Sequence, residues 1–346
     1  MGIRDVQRAK KALVDGSKAE EADAISRLPS LFEAIERDCP GSVATIERTT
    51  DNRFVRSFAM TGKAAFVAAN STPKVVSMDA GRLKGSWKGV MYVLSTKDSN
   101  NRIVHVSTVL ADKENETNYS FLLEQTCKNE HMARFLKSAK TTFFTDGHRG
   151  SPPALRRTTP DAQVRTCLRH LITNKAMSKM GAVISGMVFK AAKMPSRALF
   201  DECLQEVKTR FPKNFSFLMS QPLEAWTHHA SPKDAVILDT TTSNNAESTI
   251  NMVGAQARTQ DLFQLHLKIL EHSTERLAEH ARTGVGSDRL HNPFATNFIE
   301  NERKLSLTKY VRDMGLGVYL PRARPEQVRQ QGQDPAAGCR RTTWLP

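Results

Sequence analysis

Two acidic residues end short apolar segments of this 346-residue sequence. Asp79 closes the segment 74–79, and Asp146 closes the segment 141–146. Apolar runs of this length predict buried strands, so each carboxylate is expected at the rim of a sheet, where a ligand can reach it. Two such carboxylates on adjacent strands can hold a divalent cation, because magnesium prefers hard oxygen ligands. The alternative is that each aspartate only begins a turn, where aspartate is common.

The segments around these aspartates predict a mixed α/β fold. The predicted strands are 74–79, 89–95, 103–110, 141–146 and, as a short fifth, 163–166. The first three are joined by short, turn-rich links, which is typical of an antiparallel meander, and a helical pattern at 116–137 precedes the fourth. The predicted order is three strands, a helix and a fourth strand, with acids on the first and fourth strands. This is the order of an RNase H-like nuclease core.

Helices and short strands are also predicted outside this core. Up to residue 38 the pattern is helical, and three short strands follow, the last of them Ala64–Ala69. A helix is predicted again at 298–314. The predicted domains are 1–70, an N-terminal helical and β region; 74–275, the RNase H-like core, with an all-helical insertion at about 167–236; 276–320, C-terminal helices; and 321–346, a disordered tail.

The charge of the chain favours a polyanionic partner. There are 50 Lys and Arg against 36 Asp and Glu, a formal net charge of +14. Such an excess most often serves nucleic-acid binding, and the alternative is a generically basic protein. Six basic residues follow Asp146, where a DNA-handling protein would lay them along the duplex backbone, unless they form only a solvated face. They are Arg149, Arg156, Arg157, Arg165, Arg169 and Lys175.

Composition also indicates the compartment. No window approaches eighteen consecutive apolar residues, so no membrane span is expected. Residues 1–20 are charged throughout, which is unlike a signal peptide. The five cysteines are scattered and odd in number, which favours a reducing compartment. We therefore expect an intracellular protein that is not secreted.

Five short motifs, in a fixed order, resemble one known family. They are Val75–Gly85 with Asp79, Phe143–Gly150 with Asp146, the pair Cys167 and His170, Trp226 in the helical span, and Thr242–Ser248 with Asn244 and Glu247. Together they resemble the Mutator-like (MULE) transposase domain over about 200 of the 346 residues.

The resemblance implies a DDE-type, RNase H-like core that cleaves double-stranded DNA and transfers strands during transposition. Asp79, Asp146 and Glu247 would hold two Mg²⁺ or Mn²⁺ ions, and a eukaryotic member would be nuclear. Asp146 follows Asp79 by 67 positions, and Glu247 follows Asp146 by 101. A compact core needs far fewer residues in the second gap, so the helical insertion fits the family pattern.

Two of these motifs have simpler explanations beside the functional one. Glu247 follows Thr242-Ser-Asn244 at a predicted helix start, where any acid is favourable. Cys167 and His170 lie three positions apart and share a helix face. Because a structural zinc site needs four ligands and no second pair with matching spacing is present, we expect a structural role for this pair.

Two rival functions remain from the sequence. The first is a domesticated or decayed transposase that binds DNA and regulates without cleavage; the second is an unrelated RNase H-like nuclease. Residues 1–70 contain one cysteine and no histidine, and the tail contains only Cys339, so the terminal zinc modules of active family members are not recognisable in this sequence. The sequence leaves the oligomeric state open, a homo-oligomer included.

Overall fold

The fold is taken from a computed structural model of the chain. The described residues are 3–85, 87–177, 181–233, 235–237, 241–253, 257–284, 296–297, 299–301, 309–313 and 319–323. They fall into two compact units, Met1–Val285 and Gly286–Pro346. Within the described ranges, none of the helices has the length and apolar character needed to cross a membrane.

A seven-stranded mixed sheet forms the centre of the first unit. Its strands are β1 Val43–Arg48, β2 Phe54–Met60, β3 Val75–Arg82, β4 Val90–Lys97, β5 Ile103–Ala111, β6 Thr142–Thr145 and β7 Gln163–Thr166. They lie in the order β1-β2-β5-β4-β3-β6-β7. Strands β3, β4 and β5 form an antiparallel meander, while β6 runs parallel to β3 and β7 parallel to β6. This arrangement confirms the predicted mixed α/β class with an RNase H-like core.

Helices cover both faces of the sheet. They are α1 Ile3–Asp38, α2 Gly62–Ser71, α3 Glu116–Thr126, α4 Glu130–Leu136, α5 Ser151–Thr158, α10 Asn244–Val253 and α11 Leu262–Gly284. Successive strand residues point to opposite faces: Tyr92 joins the core formed with α2 to α5, and Met91 joins the core formed with α1, α10 and α11. The sheet is therefore the middle of three layers.

The N-terminal strands belong to the same sheet as the predicted core. Strand β1 pairs antiparallel with β2, and β2 pairs antiparallel with β5. The predicted strand Ala64–Ala69 was wrong, because these residues lie in α2. The side chain of Thr61 caps this helix by accepting a hydrogen bond from the Ala64 amide, and alanine has the highest helix propensity of all residues.

The span between β7 and α10 is helical, as predicted. It contains α6 Leu168–Ile172, α7 Ala182–Ala192, α8 Arg197–Arg210 and α9 Pro212–Ser220. The side chains of Phe200, Leu204 and Trp226 are fully buried in a hydrophobic core of this insertion. Because the insertion has its own core, it can grow between two elements of the sheet domain without disturbing their packing.

The second unit contains an antiparallel pair, β8 Lys309–Asp313 and β9 Tyr319–Ala323. The predicted helix at 298–314 was therefore wrong over 309–313. Tyr310 and Val311 are aromatic and β-branched, and such residues favour strands where a partner strand is present. The predicted disordered tail overlaps β9 at residues 321–323, and residues 324–346 lie outside the described part of the chain.

Helix α10 packs directly on β3 and β4, and a glycine permits this close approach. A Cβ atom at Gly81 would lie 2.8 Å from Cγ2 of Ile250. This distance is too short for any real side chain, so α10 would have to move away from β3. The position of every α10 residue relative to the end of β3 therefore depends on Gly81.

We expect Gly81→Ala to lower the free energy of unfolding by about 1–3 kcal/mol, the range for overpacking a filled core. Urea unfolding measures this loss. The same change in an Ile250→Ala background should cost clearly less, because the atom that obstructs the new methyl group is gone. An equal loss in both backgrounds would contradict this account of the packing.

Candidate active site

The two predicted aspartates lie next to each other where the parallel ladder between β3 and β6 ends. Asp146 follows β6, whereas β3 continues through Asp79 to Arg82 in its pairing with β4, three residues beyond the predicted end of this strand. Met78 of β3 pairs with Thr145 of β6, and this is the last pair of the ladder. Asp79 and Asp146 each follow by one residue, so the in-register parallel pairing directs both side chains to the same face. The sheet thus juxtaposes two carboxylates that are 67 positions apart in sequence.

Asp79 is a buried carboxylate with a strongly perturbed acidity. Its exposed fraction is 6%. Burial raises the pKa of Asp79 to about 7, and the negative charges of Asp146 and Glu247 add to the rise. The hydrogen bond that Oδ1 accepts from the Ala80 amide, at 2.8 Å, and the charge of His170 act in the opposite direction on this pKa. Burial is therefore the main reason why the ionised form of Asp79 is disfavoured, and the neighbouring acids add to it.

Asp146 is fixed by the turn that follows β6. Its Oδ1 accepts a hydrogen bond of 2.9 Å from the His148 amide. Gly147 between them has φ of +80°, a conformation that glycine adopts without strain. One carboxylate oxygen is thereby tied to the backbone, and the side chain is oriented before any ligand binds.

Glu247 lies in the first turn of α10, as predicted, and is linked to the opposite side of the site. Its Oε2 accepts a hydrogen bond of 2.9 Å from Nη1 of Arg169 on α6. Glu247 is near enough for its charge to raise the pKa of Asp79. The third acid is therefore brought to the aspartate pair, but its carboxylate is engaged by an arginine.

The donor set suits a hard divalent cation without forming a complete cage. Within the described part of the chain, no three His, Cys, Asp or Glu side chains lie together so that they could hold a metal ion as they stand. Asp79 and Asp146 nevertheless offer hard oxygen ligands, and the raised pKa of Asp79 shows that nearby positive charge would stabilise its ionised form. The aspartate pair fits such an ion, while Glu247 has its Oε2 atom engaged by Arg169.

Cys167 and His170 lie at the start of α6, beside the aspartates. The Cys167 amide donates to the carbonyl of Thr145, at the end of β6. Burial alone would raise the pKa of the Cys167 thiol, but hydrogen bonds with His170 and Ser243 lower it. The bond with Cys167 raises the pKa of His170 to about 9 despite its burial, and the charges of Asp79 and Asp146 contribute to the rise. The pair thus places an imidazole with a raised pKa near the two acids, and the structural role expected for it stays a prediction.

Trp226 and Asn244, the other two predicted family positions, serve the scaffold in different places. Trp226 is fully buried in the insertion, with its ring centroid 5.5 Å from that of Phe200. Asn244 is exposed and is the first residue of α10, three positions before Glu247.

Three residues beside Asp146 were missed by the sequence analysis. The hydroxyl of Tyr119 donates to Oε1 of Glu114 at 2.8 Å, and the same oxygen lies 3.8 Å from Nδ1 of His148. Burial, and next the charges of Asp146 and Glu114, raise the pKa of Tyr119 far above its ordinary value, so it keeps its proton. No sequence motif predicts this group, because Glu114 follows β5 and is brought near Asp146 only by the order of the strands in the sheet.

The six predicted DNA-contacting residues divide into three groups. Arg149, Arg156 and Lys175 are exposed. Arg157 and Arg169 are engaged in ion pairs, the first with Glu116 at 3.0 Å and the second with Glu247.

The predicted DNA contact of Arg165 was wrong. This side chain is 2% exposed and donates to the carbonyls of Glu224 and Thr227, at 2.9 and 3.0 Å, and to Ser231. Burial lowers the pKa of Arg165 to about 10. Arg165 therefore joins β7 to the end of the helical insertion and has no side left for a phosphate.

The sheet order and the paired aspartates at its carboxyl edge define an RNase H-like core. Residues 75–174 match the family model described as MULE transposase domain. This match confirms the resemblance to Mutator-like transposases and supports a role in the transposase family. It includes Asp79, Asp146, Cys167 and His170 and ends before Glu247. No curated protein matches the chain.

We expect the stability of the metal-free protein to fall as the pH rises from about 4 to about 7. The pKa of Asp79 is raised from its unfolded value of about 3.9 to about 7, so folding favours the protonated form, and its contribution is lost as the carboxylate ionises. Asp79→Asn should remove this loss, which amounts to at most about 4 kcal/mol. Urea unfolding with a chelator at pH 4 and pH 8 tests this. The free energy of unfolding of the variant should exceed that of the wild type at pH 8 but not at pH 4.

Proposed function

We propose that this chain is the catalytic domain of a DDE-type transposase, which cleaves DNA and joins the freed 3′ end to target DNA. The observation that carries the proposal is the juxtaposition of Asp79 and Asp146 where the ladder between the adjacent strands β3 and β6 ends. The match to the MULE transposase domain supports it, since the match contains both residues. A nuclear location in a eukaryote stays a prediction from the sequence.

Asp79, Asp146 and Glu247 would hold the Mg²⁺ or Mn²⁺ ions. When bound, two such ions activate the attacking oxygen and stabilise the leaving oxygen of a phosphodiester. Asp146 is oriented by its backbone hydrogen bond, and Asp79 by that from Ala80. Cys167 holds His170 near both acids, so the positive charge of the imidazole offsets part of their repulsion before ions bind.

The substrate proposed is duplex DNA held through its phosphates. Arg149 and Arg156 lie on the segment that follows Asp146, and both are exposed. Lys175 extends this basic region beyond α6. Side chains of this kind position a duplex without reading its sequence, which agrees with the lack of recognisable zinc modules in the sequence.

A second candidate function is DNA binding without cleavage. The observation that favours it is the engagement of Glu247 by Arg169, which occupies one oxygen of the proposed third carboxylate. A domesticated protein could keep the ion pair between Arg169 and Glu247 formed at all times. The two functions differ in whether cleavage depends on the acids.

Asp146→Asn should abolish nicking of supercoiled DNA in Mn²⁺, and Glu247→Gln should reduce it strongly, because each removes one acid of the site. Both should fold normally, since the replacements keep size. Asp161→Asn and Glu116→Gln are the matched controls, because Asp161 lies in an exposed turn and Glu116 is a first-turn acid that also pairs with an arginine. Wild-type protein that binds DNA but does not nick it would favour the second function.

Binding to duplex DNA should weaken steeply with salt and show little sequence preference. Replacing Arg149 and Arg156 together by Ala should reduce the slope of log K against log salt by about 0.9 for each phosphate that the protein no longer neutralises. The control removes the same charge at Lys128 and Lys140, which are exposed near α4. Fluorescence anisotropy over a salt series measures both slopes, and equal slopes in the two double variants would contradict the assignment.

A further inference from the structure

The ion pair between Arg169 and Glu247 engages the third acid of the proposed site. Arg169 lies on α6, which follows β7. Glu247 lies on α10, which packs on the same face of the sheet as α11. Their side chains are 55% and 36% exposed, and the joining atoms, Nη1 and Oε2, are 2.9 Å apart. Solvent and ligands can therefore reach both partners.

This pair holds the third acid in a position that does not complete the site. The charge of Glu247 reaches Asp79. Even so, in the described residues the acids do not form a group of three that could hold an ion. A guanidinium and a divalent cation compete for the same carboxylate, so the occupancy of one lowers that of the other.

Arg169 also has the chemistry to exchange its partner for a phosphate. Guanidinium groups form bidentate hydrogen bonds with phosphate oxygens as readily as with carboxylates. An ion pair exposed to this degree contributes little net stability, so its exchange costs little. Arg149 follows Asp146 by three positions and Lys175 follows Arg169 by six, and both are exposed and could take further phosphates of the same duplex.

We propose that Arg169 is a positioning residue for Glu247. In the free protein it holds the third carboxylate away from the aspartate pair, and a DNA phosphate that takes over the guanidinium releases Glu247 to the cation. The inference rests on the proposed function, because it requires Glu247 to act with Asp79 and Asp146. It makes assembly of the complete site depend on the substrate.

The first test measures Mn²⁺ affinity of the full chain by calorimetry without DNA. Arg169→Gln should tighten Mn²⁺ binding about two- to fivefold, the range that an exposed ion pair is worth. Arg197→Gln is the matched control, because Arg197 pairs with Asp201 at the same 2.9 Å and is 54% exposed, but lies in the insertion. The control should leave the Mn²⁺ affinity unchanged.

A double-mutant cycle separates positioning from a general effect of charge. If Arg169 acts through Glu247, Arg169→Gln should change the Mn²⁺ affinity by less than about twofold in a Glu247→Gln background. An equal gain in Mn²⁺ affinity in both backgrounds would mean that the arginine only repels the cation, and it would overturn the proposal.

A second test uses DNA affinity, because coupling between two ligands is reciprocal. Ca²⁺, which also takes carboxylate oxygens, should tighten binding of a labelled duplex to the wild type more than to Arg169→Gln, at constant ionic strength. Equal tightening would contradict the exchange of partners.

The outcomes also distinguish this inference from the proposed function. If the wild type binds no Mn²⁺, or if Asp146→Asn binds it as well as the wild type does, the metal-dependent function fails, and the inference fails with it. If that binding is present but Arg169→Gln leaves it unchanged, the function stands and only the role of Arg169 is overturned.

Discussion

The repulsion between two carboxylates at one edge of the sheet is the constraint on which the rest of this structure depends. Asp79 is buried and Asp146 is its neighbour, so ionisation of both is costly, and the pKa of Asp79 rises to about 7. A fold maintains such an arrangement only where surrounding packing outweighs the local cost. Here the cost is imposed by the parallel pairing of β3 and β6, which is itself held by a fully buried sheet centre.

The elements around the pair reduce this cost without removing it. Backbone amides of Ala80 and His148 each donate to one carboxylate, and His170 adds positive charge. His170 in turn depends on the Cys167 thiol and on the helix start that follows β7. Of these groups, the Ala80 amide and His170 act against the rise in the pKa of Asp79 but do not cancel it.

The parts of the fold that depend on local pattern could be predicted from the sequence. The five core strands have apolar runs bounded by turn residues, and the short links between β3, β4 and β5 predict their antiparallel meander. The place of β6 beside β3 depends on long-range pairing that no local pattern contains. The strand predicted at Ala64–Ala69 failed because apolar periodicity over six residues does not separate a strand from a buried helix, and the Thr61 cap decided the outcome. The helix predicted over 309–313 failed because β8 depends on a partner strand that a local window does not contain.

The candidate site could be predicted in part, for the same reason. Asp79 and Asp146 were each predicted at the end of an apolar segment, and the parallel pairing of β3 with β6 brings the two together, although β3 itself continues to Arg82. The engagement of Glu247 by Arg169 joins residues 78 positions apart on two helices, and no spacing rule predicts it. Nor does any rule distinguish Arg165, which is buried under the insertion, from the exposed Arg156. Both depend on how the insertion folds back on the sheet.

The structure also separates the three acids by the rigidity of their supports. Asp79 and Asp146 are fixed by the ladder between β3 and β6, which cannot shift by one residue without turning their side chains to the other face. Glu247 depends instead on an exposed side-chain contact and on a helix whose approach to β3 is set by Gly81 and Ile250. Under the proposed function, two rigid acids and one adjustable acid would let the site be nearly assembled in the free protein and completed only when its partner binds. The long insertion contributes to this adjustability, because it separates Glu247 from the strands that fix the other two acids.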